Sequence, residues 1–153
     1  MNVLESDLKE DGRADLTLRL SNSLSELKRI VDALYAMKER YSLSERDFLT
    51  ARLCAEEVFT NIVRHGFFEG DGREVYLRIE ADADSIRMHF QDNGKPFDPL
   101  ATSPTRKKET LETALAGGRG ISLIRAYAQE LRYAYQEGYN SLSLTIRREL
   151  RRA

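Results

Sequence analysis

Glu57 and Asn61 stand four residues apart in the stretch EEVFTNIVRHG and could act together on one bound group. Side chains at positions i and i+4 of a helix project in the same direction, so these two would share one small space. A carboxylate there could polarise a hydroxyl or a water, and an amide oxygen could bind a hard cation. The pair alone favours the alternative, a solvated helix edge. His65, next along the same side, is interpreted as a structural residue at the helix end.

The stretch QDNGKPFDP places Asp92 directly after an alternating apolar segment. Asp-Asn-Gly is typical of a hairpin turn, but Pro96 and Pro99 oppose the second strand that a hairpin would need. We therefore expect Asp92 at the end of a strand, where its carboxylate could accept a hydrogen bond from an exocyclic amine. Gly94 would let the backbone approach a ligand closely.

The stretch GGRGISLI leads Gly117, Gly118 and Gly120 directly into a helical pattern. Backbone amides at a helix N-terminus can bind phosphate. The stretch is not a Walker A loop, because no Gly-Lys-Ser/Thr follows, and it lacks the last glycine and the preceding strand of a dinucleotide-binding fingerprint. Glycines before helices are common, so this motif is a weak signal when it is taken alone.

Hydrophobic periodicity predicts the elements that must position these residues. Helical spacing, with capping signals of Ser23 with Glu26 and Ser44 with Asp47, predicts helices over about 23–41, 44–66 and 121–131. Alternation predicts strands around 16–20, 75–79, 86–90, 131–135 and 142–146, the last two joined as a hairpin around GYN.

This order of elements predicts an α/β (α+β) fold, a two-layer sandwich in which helices cover one face of a mostly antiparallel sheet. One domain is expected over residues 15–148, after a polar, flexible segment over 1–14 and before a basic tail over 149–153. The connection from about 93 to 120 reads as a long loop with one short helix near 109–116. A loop of that length in a small domain is usually functional or mobile.

Composition excludes several classes of function. The net charge of −1 provides no global field for nucleic acid or a membrane surface, and no apolar window approaches the roughly 18 residues of a membrane span. With no signal-peptide pattern at the N-terminus, the cytoplasm is the expected compartment. Cys54 is the only cysteine and reads as a small buried hydrophobe, so no internal disulfide can form, and a Cys/His zinc site is disfavoured.

Taken in order, Glu57-x-x-x-Asn61, Asp92-x-Gly94 and Gly118-x-Gly120 resemble the N, G1 and G2 boxes of the GHKL ATPase/kinase superfamily. The resemblance covers roughly residues 15 to 147. The stretches TNIVRHGF, DNGKPFDP and GGRGISLI are most similar to those of the small bacterial anti-sigma-factor serine/threonine kinases. It implies the Bergerat (GHKL) ATP-binding fold, an α/β sandwich that agrees with the arrangement expected from periodicity.

The resemblance also implies the cofactors, ATP and Mg²⁺, and the residues that bind them. Asn61 would coordinate Mg²⁺ between the phosphates, and Asp92 would bind the adenine amino group. Gly94 would let the base pack, and Gly118 and Gly120 would wrap the phosphates.

Glu57 corresponds to the residue proposed in these kinases as the general base for the acceptor hydroxyl. Residues 99–117 match the ATP lid, where Lys107, Lys108 and Arg119 could reach phosphate oxygens, although solvated charges are the alternative. Arg119 departs from the apolar residue that relatives often carry. Ser143 lies near where relatives can place a hydroxyl close to the adenine pocket.

The implied protein substrate is a STAS-type anti-anti-sigma domain phosphorylated on serine or threonine, and the second partner is a sigma factor. A homodimer is also implied. One alternative is a nucleotide-gated anti-sigma module with little turnover. The ATPase domain of a histidine kinase ranks lower, because no helix with a phospho-accepting histidine is present and only His65 and His89 exist.

Overall fold

The computed structural model describes residues 7–8, 14–66, 72–101 and 120–149. Its strands are β1 (Asp7–Leu8), β2 (Ala14–Ser21), β3 (Glu74–Ala81), β4 (Ser85–Asp92), β5 (Glu130–Gln136) and β6 (Tyr139–Arg147). Its helices are α1 (Leu27–Tyr41), preceded by a 3₁₀ turn (Leu24–Glu26), α2 (Glu45–Asn61), continued by a π-helical turn (Ile62–Gly66), and α3 (Gly120–Tyr127). In the described part of the chain, no helix combines the length and apolarity needed to cross a bilayer.

The strands form one sheet in the order β1-β2-β3-β4-β6-β5, and every neighbouring pair is antiparallel. The last strand along the chain, β6, therefore lies inside the sheet between β4 and β5. This register pairs Asp92 of β4 with Asn140 of β6. The predicted sandwich with a mostly antiparallel sheet is confirmed.

The core lies between one face of the sheet and the three helices. Alternate residues of the central strands are buried there, as the alternating sequence predicted. The most buried are Leu20, Val75, Leu77, Ile79, Ile86, Met88, Phe90 and Leu144 from the sheet, with Ile30, Leu34, Ala51, Cys54, Ala55, Val58, Phe59 and Ile124 from the helices. Each fully buried Leu, Ile, Val or Phe side chain contributes about 1.5–3 kcal/mol relative to exposure.

Two boundaries differ from the sequence prediction. Helix α3 ends at Tyr127 instead of continuing to 131, because Leu131 pairs with Leu144 in the sheet. The last hairpin turns at Glu137 and Gly138, both with positive φ (53° and 84°), so Asn140 lies in a strand and not in the turn. The expected helix near 109–116 and most of both terminal segments lie outside the described residues, although Asp7–Leu8 pairs with β2.

The end of the described chain is fastened to the start of α2 by a buried ion pair. Ser44 caps α2 by accepting a hydrogen bond from the Asp47 N–H (3.0 Å), as the capping signal predicted. Asp47 lies 3.6 Å from Arg148 Nε, with side-chain exposures of 5% and 10%, and also accepts from the Glu149 N–H (2.9 Å). The Arg148 guanidinium further donates to the carbonyl oxygen of Asp82 (2.7 Å).

We predict that Asp47→Ala lowers the free energy of unfolding by about 3–5 kcal/mol, because Arg148 would remain buried without a counterion. The double variant Asp47→Ala/Arg148→Met should lose less than the single variant. Urea unfolding of the wild type, both single variants and the double variant measures the coupling. A strictly additive double variant would contradict this role for the pair.

Candidate functional site

A pocket of about 440 Å³, open to solvent, lies between the end of α2 and the adjoining ends of β4 and β6. Small-molecule sites are typically clefts lined mainly by apolar side chains with a few polar groups. Most of its lining is apolar, and three polar side chains interrupt that lining: Asn61, Asp92 and Asn140. The remaining lining residues are Val58, Ile62, Phe90, Phe97, Pro99, Ile121, Tyr133 and Leu142.

Asn61 is the last residue of α2 and is 8% exposed. Its side chain lines the pocket and makes no hydrogen bond to any described residue. Buried amides are normally paired, so an amide left without a protein partner is available to a ligand. Glu57, one helical turn earlier, is half-buried and does not line the pocket. The structure thus places the predicted pair on one side of α2, with only Asn61 at the pocket.

The π-helical turn after Asn61 contacts the loop that follows β4. The His65 ring in this turn stacks on the Phe97 ring, with centroids 5.0 Å apart and planes 15° apart. Phe97 lines the pocket, so this contact braces one pocket wall from behind. The contact agrees with the structural role expected for His65. A π-helical turn often marks a functional site within a helix.

Asp92 is the last residue of β4 and is 4% exposed. Its Oδ1 atom accepts hydrogen bonds from the Gly94 N–H (2.9 Å) and from Asn140 Nδ2 (3.0 Å). Its Oδ2 atom has no hydrogen-bond partner among the described residues. Burial raises the pKa of Asp92, while the bonds from Asn140 and Gly94 act in the opposite direction by favouring the ionised form. The result is a buried acceptor at the base of an apolar pocket.

Asn140 is the functional candidate that sequence reasoning missed. Its placement in the GYN turn hid it, yet Asn140 continues the buried alternation of Leu142, Leu144 and Ile146. A polar residue at a core-facing position of a strand was the available signal. Its side chain, 6% exposed, contacts Asp92 and the backbone of the loop after β4.

Comparison with known proteins connects this pocket to a family. The sequence model of the histidine kinase-like ATPase domain matches residues 20–146, which is most of the chain. The chain belongs to this family. Within it, the chain is similar to the serine/threonine-protein kinase BtrW of Bordetella bronchiseptica, with 34% identity over 119 residues, 74% of this chain and 82% of the relative.

One further relative agrees with this assignment, and one solved structure shares the fold. The serine-protein kinase RsbW of Listeria monocytogenes is 27% identical over 111 residues, 69% of this chain and 70% of the relative. A crystal structure of the RsbU and RsbW domains of a Mycobacterium tuberculosis protein shares the fold, with a TM-score of 0.55 and 17% identity. That alignment covers 90% of this chain and 33% of the other. The predicted resemblance to anti-sigma-factor serine/threonine kinases is confirmed.

The described part of this histidine kinase-like ATPase domain brings some of the predicted site residues together. Asn61 and Asp92 line the pocket, and the buried Gly94 donates its N–H to Asp92. Gly120 begins α3, whose next residue, Ile121, lines the pocket. The remaining phosphate-binding candidates, Gly118 and Arg119, lie outside the described residues, as do Lys107, Lys108 and most of the lid.

Ser143 is not at the pocket, which corrects the expectation from the sequence. Successive residues of a strand face opposite sides of a sheet, and Asn140 and Leu142 take the pocket side. Ser143 lies on the other side, where its Oγ contacts His89 Nδ1 at 2.7 Å. Burial, followed by the Arg78 charge, lowers the pKa of His89.

Cys54, on α2, is 1% exposed and packs in the core. Burial, followed by the Glu57 carboxylate, raises the pKa of its thiol to about 11. The thiol is therefore protonated at neutral pH and is a poor nucleophile. The interpretation of Cys54 as a small buried hydrophobe is confirmed.

We predict that Asp92→Asn unfolds at a higher urea concentration than the wild type near neutral pH. Because burial raises the Asp92 pKa, the folded state binds the proton more tightly than the unfolded state. The stability contributed by protonated Asp92 is complete below its unfolded pKa and is lost as the pH rises through its folded pKa. Asparagine stays neutral throughout, so its advantage should shrink as the pH falls from neutral through the folded pKa of Asp92. An advantage that is constant over this interval would contradict the assignment.

Proposed function

We propose that this protein is an anti-sigma-factor-like serine/threonine kinase that binds Mg-ATP and phosphorylates a STAS-type anti-anti-sigma partner. The observation that carries the proposal is the apolar pocket with the buried Asp92 carboxylate at its base and, in its lining, the Asn61 amide, which bonds to none of the described residues. The most similar relatives reported above are named serine/threonine kinases, which supports kinase activity at the level of the family.

The chemistry of the pocket suits an adenine base. A flat apolar base would pack against Ile62, Phe97 and Leu142, and its amino group would donate to Asp92 Oδ2. Hydrogen bonds to a charged group contribute about 1.5–3 kcal/mol, more than neutral bonds do. Gly94 has no side chain, so it would let the base approach the loop closely.

The phosphates and Mg²⁺ would lie beside Asn61. Mg²⁺ usually keeps several waters and takes other ligands from substrate phosphates, so a single amide oxygen from the protein can complete its coordination. The buried Asn61 side chain fits this role because no described residue uses its oxygen. When bound, Mg²⁺ would neutralise charge that develops on the transferring phosphoryl group. By the family resemblance, Gly118 and Gly120 would bind the phosphates through their backbone amides, with Arg119 and the lid over 99–117 beside them.

Glu57 would act as the general base. In the transfer, the acceptor serine oxygen forms a bond to the γ-phosphorus while the bond to the bridging oxygen breaks and ADP leaves. The hydroxyl proton passes to the Glu57 carboxylate, an assistance typically worth about 10²- to 10⁴-fold in rate. Its half-buried position one turn before Asn61, outside the pocket lining, suits contact with a protein substrate rather than with the nucleotide.

The remaining parts of the proposal rest on the motifs. They include a sigma factor as second partner, partner switching in transcription regulation, a homodimer and the cytoplasm as compartment. The alternative, a nucleotide-gated anti-sigma module with little turnover, would use the same pocket without a role for Glu57.

We predict that Glu57→Gln keeps the affinity for Mg-ATP and lowers phosphate transfer by about 10²- to 10⁴-fold, because only the proton acceptor is lost. Asn61→Ala should instead lose the Mg²⁺-dependent part of ATP binding. Calorimetric titration measures binding, and transfer of labelled phosphate to the STAS protein measures turnover. Glu56→Gln is the matched control, because Glu56 pairs with Arg52 (2.8 Å) away from the pocket lining.

Each outcome has a distinct meaning. ATP binding without transfer by the wild type would exclude the kinase and support the nucleotide-gated module. A wild type that fails to bind Mg-ATP would exclude both functions. Equal behaviour of Glu57→Gln and Asn61→Ala would contradict the separate roles of the two residues.

A further inference from the structure

The Asn140 amide makes contacts at both of its ends. Its nitrogen, Nδ2, donates to Asp92 Oδ1 (3.0 Å) and to the Lys95 carbonyl oxygen (2.9 Å), with the Gly94 carbonyl oxygen at 3.4 Å. Its oxygen, Oδ1, accepts from the Phe97 N–H (3.2 Å) and from the Tyr133 hydroxyl. An amide has two N–H donors and two acceptor lone pairs, so Asn140 uses its full capacity.

The orientation of this amide is fixed by its neighbours. The Phe97 N–H can only donate, so it requires the oxygen of Asn140 on its side. The Lys95 carbonyl oxygen can only accept, so it requires the nitrogen. A flipped amide would direct its oxygen at the Asp92 carboxylate and at a carbonyl oxygen. The N–H of Asn140 therefore faces Asp92 by chemical necessity.

This contact determines how Asp92 is presented to the pocket. Asn140 and the Gly94 N–H both engage Oδ1, and a carboxylate held through one oxygen cannot rotate freely. Its other oxygen, Oδ2, has no partner among the described residues, and Asp92 lines the pocket. The same bonds favour the ionised form, in which a carboxylate accepts hydrogen bonds and cannot donate them.

An ionised carboxylate discriminates between purines. It accepts a hydrogen bond from an exocyclic amine, whereas a carbonyl oxygen at the same place on the base would meet it as a second acceptor. A site built to pair one polar group of its ligand strongly rejects an analogue that lacks it, because the buried group of the site is then left unpaired.

We propose that Asn140 is the positioning residue that makes the pocket selective for a purine carrying an exocyclic amine over one carrying a carbonyl group there. The proposal rests on the nucleotide-binding function proposed above. It assigns to the last strand a role in base recognition that acts through Asp92 and not through contact with the base.

The test compares the affinities of ATP and inosine triphosphate, which carries a carbonyl oxygen where ATP carries the amine. Asn140→Leu, similar in volume, removes the donor and the acceptor. We expect this variant to bind ATP about 10- to 100-fold more weakly, with much less change for inosine triphosphate, so that the preference for ATP is lost. A residue that only supported the pocket would weaken both nucleotides equally.

Asn140→Asp is the second variant and keeps the result decisive if the leucine variant does not fold. It retains the shape of the side chain and the acceptor for Phe97 and Tyr133, but it places a carboxyl group against Asp92. Two adjacent carboxyl groups cannot both ionise readily, so the donor that favours the ionised form of Asp92 is replaced by a group that competes with Asp92 for one proton. We expect the preference for ATP over inosine triphosphate to narrow.

Ser141→Ala is the matched control, because Ser141 neighbours Asn140 on β6 but faces the other side of the sheet. It should bind both nucleotides as the wild type does. A wild-type preference for ATP that persists in both Asn140 variants would overturn the proposal while leaving the nucleotide site intact. A wild type that binds neither nucleotide would instead refute the proposed function itself.

Discussion

The site is built around one buried carboxyl group, that of Asp92, at the base of an apolar pocket. Burial opposes the charge of Asp92, and the described structure offers it two hydrogen bonds, from Gly94 and Asn140. One requires the chain to turn back immediately after β4, and the other requires β6 to lie beside β4. The hydrogen bond from Gly94 therefore depends on the loop after β4, and the hydrogen bond from Asn140 depends on the strand order of the sheet.

Helix α2 meets a second constraint, because it must be apolar towards the sheet and polar at the pocket. Val58 and Phe59 are buried in the core, and Asn61 emerges at the pocket as α2 ends. The π-helical turn that follows carries His65 onto Phe97. Helix α2 and its π-helical turn thus supply core packing, a polar group for a ligand, and a contact that supports Phe97 in the pocket lining.

The sequence was sufficient for the fold class, the central strands and the placement of Asn61, Asp92 and Gly94, because these follow from local periodicity and turn chemistry. It was insufficient for contacts that arise from strand pairing. Asn140 and Ser143 are three residues apart on one strand and so face opposite sides of the sheet, but the contact of Asn140 with Asp92 arises only from the register of β6 against β4. Leu131 satisfied both a helical and a strand pattern, and its pairing with Leu144 decided between them. Long-range pairing is the information that a local pattern lacks.

Because β6 inserts between β4 and β5, the pocket can form only after β6 has been synthesised. The pocket walls combine residues near 58–62 with residues near 140–142, so the first half of the chain cannot form the pocket before the last strand is made. Contacts so distant in sequence form late in folding, after the intervening chain has closed. A ligand of this pocket would bind only the completed sheet, so it would selectively stabilise chains in which β6 has paired with β4.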